Sequence, residues 1–174
     1  MEGNDHFRDV TEVIWGGLDK TGMRIIATIE GEQIIEADDN SVRWMAKAAI
    51  DSDGVGPHHG DHTAQDETTY KPNLNADIDR YVVVPPAIRN GVKGVVMGCL
   101  AHVTNTKNGK HTAAVVGDIG PRHKLGEISC ACASAIGLNP SPVSGGVDEH
   151  VIEYVIFPGV AAIVNGTTYK LQPA

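Results

Sequence analysis

The residues with the clearest potential for chemistry are Asp118 and Glu127, which lie nine positions apart in the segment Val-Val-Gly-Asp-Ile-Gly-Pro-Arg-His-Lys-Leu-Gly-Glu (115–127). An apolar run before Asp118 predicts a strand, and Gly120-Pro121 predicts a turn before order resumes near Glu127. Two carboxyl groups near one strand end could cleave a glycosidic bond, where one donates a proton and the other activates water or attacks carbon. In the structural alternative, Asp118 caps a turn and Glu127 begins a helix, where its charge favours the positive end of the dipole.

A second pair of carboxylates occurs in the segment Asp-Ser-Asp-Gly (51–54). Residues two apart share one face of a strand, so Asp51 and Asp53 could point into the same groove. An Asx-turn or a fragment of a calcium-binding loop is the alternative, although the later Glu of an EF-hand is missing.

Residues 51–76 read as a long polar loop rich in Asp, His and Gly, and a loop of that length is usually functional or disordered. Its tract of His58, His59, Asp61 and His62 could bind zinc, but zinc sites usually draw ligands from defined geometry on two elements. We therefore interpret the tract as a solvated loop or an adventitious metal binder, and we expect neither a metal nor a cofactor.

Five segments in fixed order carry a family resemblance. Together they are similar to the chitosanases of glycoside hydrolase family 75, over roughly residues 48–160. In that family the catalytic acids are the Asp after Val-Val-Gly and the Glu after the next Gly, which the resemblance assigns to Asp118 and Glu127. The segments are Asp-Ser-Asp-Gly (51–54), Gly-Asp-His-Thr-Ala-Gln-Asp-Glu-Thr-Thr-Tyr (60–70), Tyr-Val-Val-Val-Pro-Pro (81–86), residues 115–127 and Tyr-Val-Ile-Phe-Pro-Gly (154–159).

This resemblance implies an endo-acting enzyme that hydrolyses β-1,4 bonds between glucosamine units of chitosan with inversion and without a cofactor. We expect Glu127 to be the general acid, because a position beside an apolar helix start would raise the pKa of its carboxyl group. We expect Asp118 to be the base, with Asp53 as its competitor because related barrels can take the base from another strand.

The resemblance also suggests residues that bind substrate. Asp53 first, and then Asp51, are expected to contact sugar hydroxyls or a glucosamine ammonium group. Asp61 and Gln65 are candidates for hydrogen bonds to sugar. Tyr70 either offers a stacking face for a pyranose ring or is a core residue.

Fold class follows from composition and from a second resemblance. Twenty Gly and nine Pro with only two Phe and two Trp indicate many turns and short strands. The segment from Val115 to Leu138 is similar to the strand–loop–helix unit of double-psi β-barrels such as rare lipoprotein A, expansins and family 45 endoglucanases. We expect a mainly β, six-stranded double-psi β-barrel-like single domain with a few short helices and long groove-lining loops. Residues 1–22 would form an N-terminal extension and residues 23–174 the catalytic barrel.

The coarse pattern also predicts individual elements. A hairpin is expected over residues 25–35, a strand over 92–103 and a short helix over 130–136, with an Asn-Gly hairpin turn near residue 108. Segment 41–50 is ambiguous, since its apolar residues have helical spacing while the family resemblance makes it a strand.

Charge and cysteine content restrict the partners. The net charge of −8 argues against nucleic acid as a partner and fits a cationic polysaccharide such as chitosan. The chain has no apolar run of about 20 residues, so we expect a protein that does not span a membrane, and we expect a monomer. The three cysteines are interpreted as buried small hydrophobic residues. The segment after Met1 lacks the pattern of a signal peptide, which would require release by lysis or another route, or a leader outside this chain.

Two other functions fit the same carboxylates. One is a peptidoglycan lytic transglycosylase on a double-psi barrel, which needs an acid but no water-activating base. The other is an expansin-like module that binds polysaccharide without cleaving it. Release of reducing ends from chitosan distinguishes the first function from these two.

Overall fold

The computed structural model describes residues 13–173, which are mainly β. Within these residues there are eleven strands and two helices. The helices are α1 (Pro86–Gly91) and α2 (Cys130–Ala135). The strands are β1 (Ile14–Trp15), β2 (Arg24–Ile29), β3 (Glu32–Glu36), β4 (Val42–Asp51), β5 (Tyr81–Val84), β6 (Cys99–Asn105), β7 (His111–Ile119), β8 (Glu127–Ser129), β9 (Val147–Ala161), β10 (Ile163–Val164) and β11 (Thr167–Thr168).

Six of these strands close into a barrel. The hydrogen-bonded order is β4-β8-β5-β7-β6-β9, and β9 pairs again with β4 to complete the ring. The β4–β8 and β5–β7 pairs are parallel and the other four are antiparallel. Closure leaves no open edge among these six strands. The predicted fold class, a six-stranded barrel in a single domain with few short helices, is confirmed.

Strands outside the barrel extend one side of it. The β2–β3 hairpin turns at Glu30-Gly31, as predicted, and β3 joins the barrel through β4. Residues 1–12 of the predicted N-terminal extension lie outside the described residues, while Ile14 and Trp15 pair with β2. Among residues 13–173, no helix has the length and apolar composition required to cross a bilayer.

Strand β4 settles the ambiguity of segment 41–50. Its side chains alternate between the core and the outside, with Val42, Trp44 and Ala46 buried. A period of two residues is that of a strand, so the helical interpretation is wrong. The indole of Trp44 stacks on the ring of Tyr154 from β9, with centroids 5.2 Å apart.

Two boundaries differ from the sequence prediction. The strand expected over residues 92–103 begins only at Cys99, because Gly94 and Gly98 have positive φ angles that interrupt extended structure. Glu127 does not begin a helix. It begins strand β8, and α2 starts at Cys130 with the Ser129 side chain as its N-cap.

Gly126 fixes how the chain enters β8. Its φ is +91°, and a Cβ atom added there would lie 2.1 Å from the carbonyl oxygen of Lys47 in β4. The Gly126 carbonyl accepts a hydrogen bond from the N–H of Ala49. A residue without a side chain is therefore required immediately before Glu127.

We predict that Gly126→Ala destabilises the protein more than Gly166→Ala. Both positions have positive φ, which costs an L-residue about 1–2 kcal/mol, but the added Cβ at Gly166 meets nothing within 4 Å. Gly126→Ala should lower the free energy of unfolding by a further amount of about 1–3 kcal/mol, because the added Cβ clashes with the Lys47 backbone. Urea denaturation measures both values, and equal losses would contradict the close approach of Lys47.

Candidate active site

A row of side chains crosses four neighbouring strands of the barrel. Ala49 of β4 pairs with Glu127 of β8, Glu127 pairs with Val83 of β5, and Val83 pairs with Asp118 of β7. Directly paired residues point to the same face of a sheet. Because adjacent strands lie about 4.8 Å apart, the Cα atoms of Asp118 and Glu127 are separated by about 10 Å across β5.

This row forms part of the floor of an open groove of about 930 Å³. The 52–80 loop supplies one wall, and the loop between β7 and β8 supplies another. Acidic groups dominate its charged lining. The residues that line it include Ala49, Asp51, Asp53, Asp61, Thr63, Gln65, Glu67, Thr69, Lys71, Val83, Asp118, Pro121, Lys124, Glu127 and Pro142.

Asp118 is buried and strongly hydrogen-bonded. Its Oδ1 accepts hydrogen bonds from the N–H of Thr69 at 3.0 Å, from the Thr69 hydroxyl at 2.8 Å and from the N–H of Ile119 at 3.0 Å. Three donors on one oxygen favour the ionised carboxylate. Burial acts in the opposite direction and dominates, so the pKa of Asp118 rises to about 6.

Asp51 and Asp53 lie beside Asp118. One carboxylate oxygen from each of the three residues lies within 4.8 Å of the other two. Asp51 Oδ1 accepts the N–H of Asp53 at 2.9 Å, and Asp53 Oδ1 accepts the N–H of Gln65 at 2.7 Å. The predicted Asx-turn and the predicted approach to the groove therefore occur together. Ca²⁺ and Mg²⁺ also prefer oxygen ligands, so these groups could hold a cation as well as share protons.

Protonation of one carboxyl group lowers the electrostatic repulsion within this cluster. Burial, and next the negative charge of Asp53, raise the pKa of Asp51 to about 8. Asp51 is thus protonated at neutral pH, which removes one negative charge from the cluster.

Glu127 has a different environment. Burial raises the pKa of its carboxyl group, while the positive charges of Lys124 and Lys47 lower it, and the raising effect is larger. Glu127 lies in strand β8 and not in a helix, three residues before α2 begins, and burial is the largest cause of its raised pKa. Gly120 lies beside this carboxyl group, since an added Cβ there would be in van der Waals contact with Glu127 Oε2 at 3.5 Å.

The other predicted binding residues separate into two groups. Asp61 and Gln65 line the groove, and Asp61 Oδ1 accepts hydrogen bonds from both the N–H and the hydroxyl of Thr63. Tyr70 is a core residue. Its ring packs edge-on against Tyr169 and its hydroxyl accepts the N–H of Lys170, so it offers no stacking face in the groove.

The histidine tract does not converge on one point. The His58 ring bonds to the Ser52 carbonyl and to Asp66, while the His59 ring bonds to Asp77.

The prediction that the three cysteines are buried is confirmed, since Cys99, Cys130 and Cys132 are buried free thiols.

Sequence reasoning missed Thr69, the residue that supplies two of the three hydrogen bonds to Asp118. It belongs to the 60–70 segment used for the family resemblance, so a signal was present. Threonine carries no charge, however, and a polar loop gives no indication of which hydroxyl will reach a carboxylate 49 positions away.

Comparisons with known proteins do not add an assignment. No family model matches this chain, and no curated protein sequence matches it at a significant level.

We predict that Asp51→Asn stabilises the protein increasingly as pH rises. Folding raises the pKa of Asp51 from about 4 to about 8, so between these values the folded state binds the additional proton and the free energy of unfolding falls with rising pH. The asparagine variant lacks this loss. The Tm of the variant minus that of the unsubstituted protein should therefore increase from about pH 5 to about pH 9. Each pH unit between the two pKa values lowers the free energy of unfolding of the unsubstituted protein by about 1.4 kcal/mol.

Thermal denaturation across this pH range measures the effect, with Asp148→Asn on the exposed part of β9 as the matched control. A Tm difference that stays constant with pH would mean that Asp51 ionises as an exposed carboxyl group does.

Proposed function

We propose that the protein is an endo-chitosanase that hydrolyses β-1,4 glycosidic bonds between glucosamine units with inversion of configuration. The observation that carries this proposal is the position of Asp118 and Glu127, which flank Val83 on one face of the barrel and line one groove. Both carboxyl groups have raised pKa values, as is typical of groups that exchange protons near neutral pH.

The environments of the two residues support different roles. Three hydrogen bonds to Asp118 Oδ1 favour its ionised form, which a base needs. Burial raises the pKa of both carboxyl groups, but Glu127 has no comparable set of donors among the described hydrogen bonds to favour its ionised form, and an acid needs the protonated form. We therefore assign Glu127 as the general acid and Asp118 as the general base.

An inverting mechanism needs room for a water molecule beside the two carboxyl groups. Inverting glycosidases hold the two carboxyl groups about 6.5–9.5 Å apart, whereas retaining enzymes hold them at about 5–5.5 Å. Cα atoms about 10 Å apart on the outer two of three adjacent strands are compatible with the larger separation. In this reaction Glu127 gives its proton to the glycosidic oxygen as the C1–O bond breaks. Water attacks C1 from the opposite face and transfers a proton to Asp118.

The charge of the groove supports a cationic substrate. Asp53, Asp61 and Glu67 line it together with the two catalytic candidates. Glucosamine units carry ammonium groups, which these carboxylates would attract, and the net charge of −8 would also attract the polymer at longer range. Lys71 and Lys124 partly offset the negative charge at the edge of the groove.

We predict that Asp118→Asn and Glu127→Gln each lower reducing-end release from chitosan by about 10²–10⁴-fold, because each loses one proton transfer and retains nearly the same volume. Asp66→Asn is the control, since the Asp66 side chain is 94% exposed and does not line the groove. Circular dichroism would confirm that all three variants fold. Near-normal turnover by either catalytic variant would remove that residue from the mechanism.

Further measurements with the same assay assign the acid and the base and identify the substrate. Azide should restore turnover to Asp118→Asn but not to Glu127→Gln, and the reverse would exchange the acid and the base. Activity should fall as acetylation of the chitosan increases and as salt screens charge over about 10 Å at 0.1 M. Cleavage of peptidoglycan without reducing ends would instead indicate a lytic transglycosylase, and polysaccharide binding without cleavage would indicate a binding module.

We also predict that Thr69→Val shifts the acidic limb of the kcat/KM profile to higher pH. The change removes the hydroxyl that donates to Asp118 Oδ1 at 2.8 Å and keeps the side-chain volume. Loss of a hydrogen bond to a charged group costs about 1.5–3 kcal/mol, which corresponds to a shift of about one pH unit or more.

Two variants test this interpretation. Thr69→Ser restores the hydroxyl and should restore the profile. Thr63→Val removes a hydroxyl that donates to Asp61 in the same groove, so it should leave the limb unmoved. An unchanged limb in Thr69→Val would show that the Thr69 hydroxyl does not set the ionisation of the base.

A further inference from the structure

A second cleft lies between the 52–80 loop and helix α2, outside the groove described above. Its volume is about 430 Å³. It shares no lining residue with the groove that holds Asp118 and Glu127. The residues that line it are His59, Asp77, Cys130, Ala131, Ser134, Asn139, Pro140 and Ser141.

Three metal-binding side chains meet in this cleft. A ring nitrogen of His59, a carboxylate oxygen of Asp77 and the Cys130 sulfur all lie within 4.8 Å of one another. His59 Nε2 is 2.8 Å from Asp77 Oδ1 and 2.9 Å from Oδ2. His59 and Asp77 lie 18 positions apart in the 52–80 loop, and Cys130 is the first residue of α2. Only folding brings the three residues together.

We propose that His59, Asp77 and Cys130 bind a divalent transition-metal ion, with Zn²⁺ as the best match. Imidazole nitrogen, thiolate sulfur and carboxylate oxygen are the three ligand types of zinc in proteins. A thiolate ligand argues against Mg²⁺ and Ca²⁺ at this site, because these ions prefer oxygen ligands. Three protein ligands leave a fourth position in a tetrahedral site, and the cleft provides space for water or another small ligand there.

Metal binding would adjust the distances between the three ligand atoms. Zinc lies about 2.0–2.1 Å from nitrogen, 2.0–2.2 Å from oxygen and 2.3 Å from sulfur, so tetrahedral ligands are about 3.3–3.7 Å apart. Without metal, a proton joins His59 to Asp77, and another stays on the Cys130 thiol, whose pKa is raised by burial and by Asp77. Metal binding would replace the hydrogen bond between His59 and Asp77, so the shared proton would move to the other ring nitrogen of His59 or to solvent, and the thiol proton would be released to solvent.

The proposed site differs from the histidine tract described above, because neighbouring histidines of the tract bond to different partners. His59 has a φ of +51°, which is unusual for a residue other than glycine, and its ring bonds to Asp77. His58 instead bonds to Asp66. The proposed site therefore uses one histidine of the tract and needs Asp77 and Cys130 to complete it.

An ion at this position would join the 52–80 loop, which forms one wall of the groove, to helix α2. The same 52–80 loop carries Asp61, Gln65 and Thr69, while Cys130 follows β8, which carries Glu127. A metal bond between loop and helix would thus fix the wall of the groove relative to its floor. The expected effect is on stability, and it does not depend on the proposed chitosanase activity.

Co²⁺ titration of the full chain tests the proposal. Binding of one Co²⁺ per chain should give a sulfur-to-cobalt charge-transfer absorption in the near ultraviolet and the visible bands of tetrahedral coordination. Zn²⁺ should displace the Co²⁺ and raise Tm, and a chelator should reverse the rise. Absence of the charge-transfer absorption in the unsubstituted protein would overturn the proposal.

Matched variants assign the ligands. Cys130→Ser should abolish the charge-transfer absorption, and His59→Asn or Asp77→Asn, at exposed positions whose loss should not unfold the chain, should weaken Co²⁺ binding at least tenfold. His62→Asn and Cys99→Ala control for other histidines and thiols and should bind as the unsubstituted protein does. Charge-transfer absorption that survives in Cys130→Ser, or equal weakening by His62→Asn and His59→Asn, would overturn the assignment and indicate adventitious binding by the tract.

Discussion

Strand β5 holds the candidate site together because it is hydrogen-bonded on both sides, to β7 in parallel and to β8 in antiparallel orientation. All four of its residues are buried, so it cannot move sideways without opening the core. Val83 lies between Asp118 and Glu127, which fixes the separation of their Cα atoms to two strand spacings. The barrel supplies both the parallel and the antiparallel pair that this arrangement needs.

That geometry concentrates negative charge, and the protein relieves it in different ways. Asp51 keeps a proton because it is buried beside Asp53. Asp118 receives three hydrogen bonds, and Glu127 lies near Lys124 and Lys47. Each carboxyl group thus has its own balance of burial, neighbouring charge and hydrogen bonding, and such a balance is what separates the roles of acid and base in paired-carboxylate enzymes.

The 52–80 loop links these features. The Gly54 N–H donates to the Gln65 carbonyl within the loop, and the Tyr70 N–H ties the loop to the barrel by donating to the Gly117 carbonyl of β7. One stretch of the loop positions Thr69 against Asp118, and its two ends bring His59 and Asp77 to α2. A long loop can serve a groove in this way because turns and side-chain hydrogen bonds hold it where strands do not.

The sequence alone determined much of the fold, because local patterns carry it. The Asn-Gly turn at residue 108, the β2–β3 hairpin and the short helix from Cys130 follow from turn chemistry, alternation and capping. The sequence also identified Asp51, Asp53, Asp118 and Glu127 as candidates, from the spacing of paired carboxylates and from the family resemblance. Tertiary structure alone decided that these four share a groove, that Tyr70 packs in the core, and that Thr69 and the His59–Asp77–Cys130 cluster exist. Those contacts join residues far apart in the chain, and no local pattern encodes a distance that arises only when the barrel closes.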